Sequence, residues 1–191
     1  MTEWEKMMSS QIYNDFDDMM FAQRRCAKKL FRRYNMTTDD EIIERRKIMN
    51  ELFGKVGENV WIEPDFHCEF GCNIIFGNDV YINFGCVILD CNTVSIGDNT
   101  MIGPNVGVYA ANHLLDANER IQGKCISKPI HIGNRVWLGG GVQVLPGVAI
   151  GDDSVIGAGS VVTKDIPSGV VAAGNPCRIL RKITEKDKQE V

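Results

Sequence analysis

Long apolar runs are missing from this sequence. No stretch of about 18 consecutive apolar residues occurs, so a transmembrane helix is not expected. The opening segment, MTEWEKMMSSQ, is charged and has no apolar core, so we expect no secretory signal. An excess of basic residues is missing too, because the net charge is −4. This balance argues against nucleic acid or a membrane surface as a partner.

Paired cysteines with a metal-binding or redox spacing are also lacking. The seven cysteines are an odd number, and no C-x-x-C motif occurs. Cys68 and Cys72 are separated by three residues, but no second pair repeats that spacing as a zinc site would require. We therefore expect no metal, and reduced thiols in a cytoplasmic protein.

Glycine, in contrast, is abundant, and eight of the 19 glycines lie in a repeated segment between Ile132 and Pro167. Aliphatic residues recur there at every sixth position, namely Ile132, Leu138, Val144, Ile150, Ile156 and Val162. Glycine follows four of them, at Gly133, Gly139, Gly151 and Gly157. This period fits neither a helix nor a single strand, and short fixed periods indicate a repeat architecture. We predict a mainly β solenoid in which three hexapeptides close one triangular coil and the aliphatic residue points inward.

The N-terminal third lacks the repeat. Apolar residues at helical spacing predict a helix over residues 3–34, with a possible break near Asn14 and Asp15. A second helix is predicted over residues 39–52, and Gly54 ends it. Residues 1–54 would form a helical cap, residues 55–182 the solenoid, whose phase shifts twice by two residues, and residues 183–191 a frayed, charged tail.

One long interruption separates the two blocks of repeats. The segment from Ala110 to Pro129 does not fit a coil, so it must protrude as a loop, and such loops are commonly functional or disordered. It contains His113, whereas His67 and His131 fall within coils. Histidine titrates near neutral pH and suits proton transfer. His113 is thus either a general base or a surface residue.

Four segments resemble the maltose and galactoside O-acetyltransferases of the hexapeptide-repeat acyltransferase superfamily. These are VGENVWIEPDFHCEFGCNI, NDVYINFGCVILD, IGNRVWLGGGVQVLPGVAIGDDSVIGAGSVVTKDIP and VVAAGNPCRILRKI. The cap with Tyr13, Asp15, Arg24 and Tyr34-Asn35 is similar to the cap of this subgroup. The resemblance covers nearly the whole chain. It implies a left-handed parallel β-helix, acetyl-CoA as co-substrate, a sugar hydroxyl as acceptor, and a homotrimer.

The same resemblance assigns roles to individual residues. His113 matches the catalytic base, and Asn83 matches an active-site asparagine that binds the acceptor oxygen or supports the oxyanion. The acceptor pocket is matched by Asp15, Arg24, Glu69, Asn83 and Asp90. Contacts with acetyl-CoA are matched by Asn83, Trp137, Gly140, Ala158, Thr163, Lys164, Arg178 and Arg181. In the family's trimers each site forms between subunits, so Asp15, Asn83 and Asp90 would come from one chain and His113 from its neighbour.

Three departures from the family pattern concern the acceptor and the histidine. Cys91 stands where the galactoside branch has a substrate-contacting aspartate. Leu114 replaces a proline after His113, and no glutamate stands beside Lys124 or Cys125. Asp116 or Glu119 could then orient His113 instead.

Three other functions remain open from the sequence. The acceptor could be an antibiotic or another small alcohol. A zinc lyase of the carbonic anhydrase type could use the same fold, but it needs three converging histidines, and the chain has three in all. A trimeric binding module without catalysis is the third alternative.

Overall fold

The computed structural model describes residues 1–188 of the chain. The N-terminal part contains α1 (Glu3–Met8), β1 (Tyr13–Asn14), α2 (Asp18–Asn35) and α3 (Ile42–Leu52). The first coils contain β2 (Lys55–Val56), β3 (Trp61–Ile62), β4 (His67–Cys68), β5 (Ile74–Phe76), β6 (Tyr81–Ile82), β7 (Val87–Leu89), β8 (Val94–Ile96), β9 (Met101–Ile102) and β10 (Gly107–Tyr109). The interruption contains β11 (Ala111–His113), α4 (Ala117–Ile121) and β12 (Lys124–Ser127). The later part contains β13 (Ile130–Ile132), β14 (Trp137–Leu138), β15 (Gln143–Val144), β16 (Ala149–Ile150), β17 (Val155–Ile156), β18 (Val161–Val162), β19 (Val170–Ala173), β20 (Arg178–Lys182) and a 3-10 turn (Glu185–Asp187).

Short strands stack into three sheets, which together form a parallel β-solenoid. Sheet 1 is β2-β5-β8-β13-β16, sheet 2 is β3-β6-β9-β14-β17-β19-β20, and sheet 3 is β4-β7-β10-β15-β18. The chain visits sheets 1, 2 and 3 in turn, so each coil has three corners, which we call corners 1–2, 2–3 and 3–1. Only β20 runs antiparallel in these three sheets over residues 1–188. The predicted solenoid is confirmed.

The six-residue rhythm corresponds to the column of side chains that point into the solenoid. All six repeated aliphatic residues have no exposed surface, namely Ile132, Leu138, Val144, Ile150, Ile156 and Val162. Burying one such side chain contributes about 1.5–3 kcal/mol. Strands of two or three residues are held in this way by a continuous core and not by their own length.

Glycine follows the inward residue because the coils approach one another closely. A Cβ added to Gly103 would lie 2.7 Å from the backbone nitrogen of Gly140 in the next coil. At Gly97 the corresponding distance to the Gly133 backbone is also 2.7 Å. A positive φ does not explain the glycines that follow the inward residues, because other residues of the turns adopt that conformation, such as Asn99 with φ 56°.

Corner 3–1 receives the extra residues of the early coils. The inward residues Cys68 and Phe76 are eight apart, and so are Ile88 and Ile96, whereas Val144 and Ile150 keep the spacing of six. The two additional residues of each early coil lie in the turns Glu69 to Asn73 and Asp90 to Thr93. Both predicted phase shifts therefore arise from longer turns at one corner, from which the long interruption also emerges.

The cap differs in detail from the sequence prediction. The helix predicted over residues 3–34 is broken around the expected point, Asn14 and Asp15, into α1 and α2, and Asp17 caps α2 by accepting a 3.0 Å hydrogen bond from the Met20 amide. The helix predicted over residues 39–52 begins only at Ile42. The Glu41 carboxylate accepts a 2.7 Å bond from the Thr38 amide, which closes a turn before α3.

The cap and the solenoid share one hydrophobic core. Ala27, Phe31 and Tyr34 of α2 belong to the same buried cluster as the inward residues of the coils. The Tyr34 hydroxyl donates a 2.6 Å bond to the Ile62 carbonyl. The Asn35 amide exchanges two bonds, of 2.9 and 3.0 Å, with the Phe66 backbone. The helices therefore close the first end of the solenoid.

The interruption is a folded hairpin. Strands β11 and β12 pair antiparallel, and β12 also pairs with β1 of the cap, which gives a three-stranded sheet in the order β1-β12-β11. Part of the tail is ordered as well, because Arg181 forms two bonds with Asp187, of 2.6 and 2.8 Å, across the 3-10 turn. The prediction of a frayed segment over 183–191 is thus wrong for residues 185–187, and residues 189–191 lie outside the described residues. Within residues 1–188, no helix is long and apolar enough to cross a membrane.

Candidate active site

A cavity of about 420 Å³ opens at corner 3–1, under the hairpin. Its wall brings together residues from the cap, from the long turns and from the interruption. The polar and thiol groups that line it include Tyr13, Asp15, Glu69, Cys91, His113 and Cys125. Three of the predicted site residues, Asp15, Glu69 and His113, therefore face one cavity within a single chain.

His113 ends strand β11 and lies directly opposite Cys125 of β12. Its Nδ1 atom is 3.2 Å from the Cys125 Sγ atom. The two carboxylates considered as partners are engaged elsewhere. Asp116 caps α4 through the Glu119 amide at 3.0 Å, and Glu119 pairs with Lys124 at 3.2 Å. Neither orients His113 in this structure, and the residue that contacts the ring is a cysteine.

Arg24 holds the two carboxylates of the cavity wall. Its guanidinium forms ion pairs with Asp15 through Nη2 and with Glu69 through Nε, and its Nη1 donates a 3.0 Å bond to the Asp15 carbonyl. Burial alone would lower the pKa of Arg24, but both carboxylates outweigh burial and raise that pKa. Only 8% of the Arg24 side chain is exposed, compared with 28% for Asp15 and 24% for Glu69. The carboxylates thus face the cavity, and the cation supports them from behind.

Asp90 lies behind the same wall, which corrects the expectation that it contacts a substrate. Its side chain is fully buried, and its carboxylate accepts bonds from the amides of Glu69, Phe70 and Asn73 at 3.1, 2.8 and 3.2 Å. A carboxylate with three buried donors fixes a turn. Asp90 therefore positions the backbone that carries Glu69.

The thiols and the phenol of the cavity are electrically neutral groups. Burial raises the pKa of Cys125 to about 11 and raises the pKa of Cys91 and of Tyr13 further. The Tyr13 hydroxyl lines the same cavity as both thiols. At neutral pH these groups remain protonated, so the charge of the cavity comes from Asp15 and Glu69.

Four further lining residues escaped the sequence analysis, namely Leu89, Tyr109, Ala111 and Leu145. Tyr109 ends β10 just before the interruption, and its large aromatic side chain at that position is a signal that could have identified it. Leu145 belongs to a later coil, and only the stacking of coils brings it to the cavity.

A second group of predicted residues occupies corner 2–3. Asn83 follows β6, Gly140 follows β14 and Ala158 follows β17, so the three turns stack along this corner. Trp137, on the adjoining strand of sheet 2, is 55% exposed. The Asn83 side-chain oxygen accepts a 2.8 Å bond from the Phe84 amide, while its Nδ2 donor makes no hydrogen bond within residues 1–188. Asn83 thus lies on a different corner from His113.

The remaining predicted cofactor residues are exposed at the late end of the solenoid. Thr163 and Lys164 follow β18, and Arg178 and Arg181 lie on β20. The Arg178 guanidinium donates a 2.9 Å bond to the Cys177 carbonyl, and Arg181 is engaged by Asp187. The resemblance implied that one chain contributes Asp15, Asn83 and Asp90 to a site and that its neighbour contributes His113. The geometry within one chain contradicts this grouping. Asp15 shares the cavity with His113, and Asn83 is the separate residue.

The other two histidines have structural contacts. His131 Nδ1 lies 2.7 Å from the Ser95 hydroxyl on sheet 1, and the His67 ring packs edge-on against Phe31 at 5.0 Å. Across residues 1–188 no group of three histidine, cysteine or acidic side chains could hold a metal ion. The zinc lyase alternative therefore finds no ligand set in the described part of the chain.

A hexapeptide solenoid with a cavity beside its one long hairpin is the architecture of hexapeptide-repeat transferases, and family models agree. The model "Bacterial transferase hexapeptide (six repeats)" matches residues 129–164, and "Hexapeptide repeat of succinyl-transferase" matches residues 93–109. The "Maltose acetyltransferase hexapeptide capping motif" matches residues 6–57, which include α2 and α3.

Whole-chain relatives narrow this class to one family. A galactoside O-acetyltransferase of Escherichia coli is 44% identical over 184 residues, which are 96% of this chain and 91% of that protein. A galactoside O-acetyltransferase of Lactococcus lactis is 37% identical over 185 residues, covering 96% of this chain and 89% of that protein. The chain belongs to the maltose and galactoside O-acetyltransferase family.

Solved structures agree with this assignment. A maltose O-acetyltransferase from Clostridium difficile superposes with a TM-score of 0.94 at 47% identity, covering 97% of this chain and 99% of that chain. A galactoside acetyltransferase in complex with coenzyme A superposes with a TM-score of 0.95 at 43% identity, covering 100% of this chain and 95% of that chain.

Proposed function

We propose that this enzyme transfers the acetyl group of acetyl-CoA to a hydroxyl of a sugar, with His113 as general base. The observation that carries the proposal is the cavity at corner 3–1, where an exposed histidine faces two carboxylates. Asp15 and Glu69 suit a polyhydroxylated acceptor, because carboxylates accept charge-assisted hydrogen bonds from hydroxyl groups. Arg24 fixes both carboxylates, so they meet the acceptor in one arrangement.

The chemistry follows from one proton transfer and one acyl transfer. His113 accepts the proton of the acceptor hydroxyl as that oxygen attacks the thioester carbonyl carbon of acetyl-CoA. The new C–O bond gives a tetrahedral oxyanion, which Asn83 can stabilise through its Nδ2 donor. The C–S bond then breaks, and its electron pair leaves on sulfur. The imidazolium returns the proton to that sulfur, which gives free CoA thiol.

Acetyl-CoA would lie along corner 2–3 and the late coils. Gly140 and Ala158 leave the backbone there accessible, and Trp137 offers an exposed apolar wall. Beyond them Thr163 can donate a hydrogen bond, and Lys164, Arg178 and Arg181 supply exposed donors for phosphate. Complexes of structural relatives with coenzyme A or acetyl-CoA support the identity of the cofactor, including an acetyl-CoA complex of a Vibrio cholerae acetyltransferase that is 39% identical with a TM-score of 0.89.

A homotrimer would complete the site. Within one chain Asn83 and His113 occupy different corners of the solenoid, so both can serve one acceptor only if corner 2–3 of one subunit faces corner 3–1 of another. Outward Trp61, Tyr81, Met101 and Trp137 form an apolar row on sheet 2 that a neighbour could cover. The free thiols favour a reducing compartment, so we place the enzyme in the cytoplasm.

A screen of acceptors with acetyl-CoA, followed by release of free thiol, tests the reaction. Sugars are expected to be acetylated, antibiotics and simple alcohols serve as the comparison, and the absence of turnover with all of them would support a binding module. His113→Ala should lower kcat about 10²- to 10⁴-fold, because a general base contributes that much, while acetyl-CoA still binds. Near-parental kcat in His113→Ala would overturn the base assignment.

A further inference from the structure

The His113 ring is one member of a row of three side chains that crosses the hairpin sheet. Cys125 of the central strand β12 is paired with His113 of β11 on one side and with Tyr13 of β1 on the other. Residues directly opposite in antiparallel strands present their side chains on the same face. Cys125 is only 3% exposed, and its sulfur lies 3.2 Å from His113 Nδ1.

From this row we infer that Cys125 is a positioning residue, whose sulfur accepts a hydrogen bond from His113 Nδ1 and thereby frees Nε2 to act as the base. The inference rests on the proposed role of His113. A neutral imidazole has one N–H, and the partner of one ring nitrogen decides where that proton resides. With the proton on Nδ1, the lone pair of Nε2 can accept the hydroxyl proton.

The protonation of Cys125 and Tyr13 is consistent with donation from His113 Nδ1 to the sulfur. The pKa of Cys125 is raised to about 11 by burial, so the sulfur keeps its own proton at neutral pH. Tyr13 is paired with Cys125 on the opposite side of the row, and its hydroxyl oxygen is the group there that can accept the S–H. The lone pairs of the sulfur remain available for the Nδ1–H of His113.

A neutral sulfur positions the His113 ring in a different way from a carboxylate. It fixes the ring orientation and the tautomer without an added negative charge beside the imidazole. Asp116 and Glu119, the acidic residues of the hairpin, are engaged with the α4 backbone and with Lys124. Cys125 therefore provides the one side-chain contact that the ring nitrogens of His113 make within residues 1–188.

Two substitutions separate this hydrogen bond from simple packing. Cys125→Ser keeps a lone pair toward Nδ1 but loses volume, whereas Cys125→Val fills the volume and offers no acceptor. We expect Cys125→Val to lower kcat roughly 10-fold, as loss of a supporting hydrogen bond to a functional histidine commonly does. The KM for acetyl-CoA should stay unchanged, Cys125→Ser should retain most of kcat, and Cys26→Ala, at an exposed thiol on α2, should match the parent.

The tautomer itself can be observed by ¹⁵N NMR of histidine-labelled protein, since the chain has three histidines and His67→Gln and His131→Gln assign the spectrum. In the parent at a pH where the ring is neutral, Nδ1 should carry the proton. In Cys125→Val the proton should move toward Nε2. An Nδ1 that is unprotonated in the parent, or an unchanged tautomer in Cys125→Val, would overturn the inference.

A double substitution distinguishes this inference from the proposed function. If Cys125 acts through His113, adding Cys125→Val to His113→Ala should cause no further loss of kcat. A further loss, a Cys125→Val enzyme that outperforms Cys125→Ser, or an acetylated Cys125 trapped during turnover would each contradict the positioning role. If His113→Ala alone keeps its kcat, the base assignment fails, while the NMR result still reports the hydrogen bond.

Discussion

The wall of the cavity depends on single buried residues that lie behind its exposed surface. Asp90 accepts three backbone hydrogen bonds, and Arg24 joins two carboxylates. Each such group is expensive to remove, because its partners remain buried without a bond. The same buried hydrogen bonds therefore maintain both the stability of the fold and the geometry of the acceptor cavity.

Asp90→Ala should therefore destabilise the protein. Loss of the carboxylate leaves the amides of Glu69, Phe70 and Asn73 without their acceptor, so we expect the free energy of unfolding to fall by about 2–4 kcal/mol. Denaturant unfolding measures this change, and Asp40→Ala, at an exposed aspartate before α3, is the control. A loss below roughly 1 kcal/mol would mean that water replaces the carboxylate.

Arg181 offers a second test at a single residue. Its hydrogen bond to Asp187, together with the Thr184 amide, lowers the pKa of Asp187 from 3.8 to about 2. Because that pKa is depressed in the folded chain, the pair persists at neutral pH and is lost only as the pH falls toward about 2. If Arg181 contacts a CoA phosphate, Asp187 competes for it, and Asp187→Asn should lower the KM for acetyl-CoA roughly two- to five-fold.

A matched surface pair controls this experiment. Asp153 forms the same two-bond arrangement with Arg135, at 2.6 and 3.0 Å, on the exposed corner 1–2. Asp153→Asn should leave the KM for acetyl-CoA unchanged. If Asp187→Asn and Asp153→Asn changed the KM for acetyl-CoA equally, Arg181 would not be a contact of the cofactor.

The limits of sequence reasoning are clearest for individual side chains. The family resemblance assigned His113, Asp15 and Glu69 to a site, and the structure brings these three to one cavity. Burial of Asp90 could not be foreseen, because an aspartate after a strand looks the same whether it faces a ligand or three amides. The contact of Cys125 with His113 depends on the register of two strands 12 residues apart, which no local pattern reports.

Elements of secondary structure show where the hairpin obtains its rigidity. Strand β1 of the cap pairs with β12, so the chain before α2 anchors the element that carries His113. Gly123 stands at the start of β12 with φ +77°, and a Cβ there would lie 2.6 Å from the Phe16 ring. The cap and the hairpin are therefore joined by the β1–β12 pairing and by the close packing of Gly123 against Phe16.

Gly123→Ala should loosen the hairpin and leave the coils intact. The positive φ and the clash with Phe16 should together lower local stability by roughly 1–3 kcal/mol. Hydrogen exchange should accelerate for amides of β11 and β12, while those of β14 and β15 remain protected. Gly169→Ala has a similar φ of +70° with no atom within 4 Å of the added Cβ, so it isolates the backbone effect. Equal exchange in both variants would exclude the Phe16 contact as the anchor.

Sequence periodicity predicted the coils well because each inward residue repeats at a fixed spacing along one column. It placed the corners, the glycine positions and the interruption between blocks. The three-stranded sheet β1-β12-β11 was not predicted, since its strands are two to four residues long and β1 pairs with β12 across more than 100 residues of chain. The helix predicted over residues 3–34 is interrupted near the expected break at Asn14 and Asp15, because Tyr13 and Asn14 extend to pair with that distant strand.

At the scale of the whole molecule, Asn83 and His113 lie on different corners of the solenoid. Assembly of subunits must therefore bring them together if both serve one reaction. We expect a trimer by sedimentation, with each site shared by two subunits. Mixing Asn83→Ala chains with His113→Ala chains, through denaturation and refolding, should then restore activity. With random assembly, about a quarter of the sites would combine an intact Asn83 from one chain with an intact His113 from its neighbour.

The controls for this mixture are each variant refolded alone, which should stay inactive. Equal amounts of the two variants mixed without refolding should also stay inactive. If refolded mixtures gain no activity although sedimentation shows mixed trimers, the two residues do not meet across an interface. The site would then lie within one chain, without Asn83.

The two ends of the solenoid have a consequence for association along its axis. Parallel strands leave unpaired backbone groups at the first and last coil, and such edges can recruit another chain. Helices α2 and α3 cover the first coil, where Phe53 packs against Phe66 and Phe76 at 5.6 and 5.0 Å. At the opposite end β20 reverses direction on β19 and presents Arg178, Arg181 and Lys182 to solvent. The covered first coil and the charged, reversed last strand of sheet 2 therefore disfavour fibre growth by end-to-end stacking.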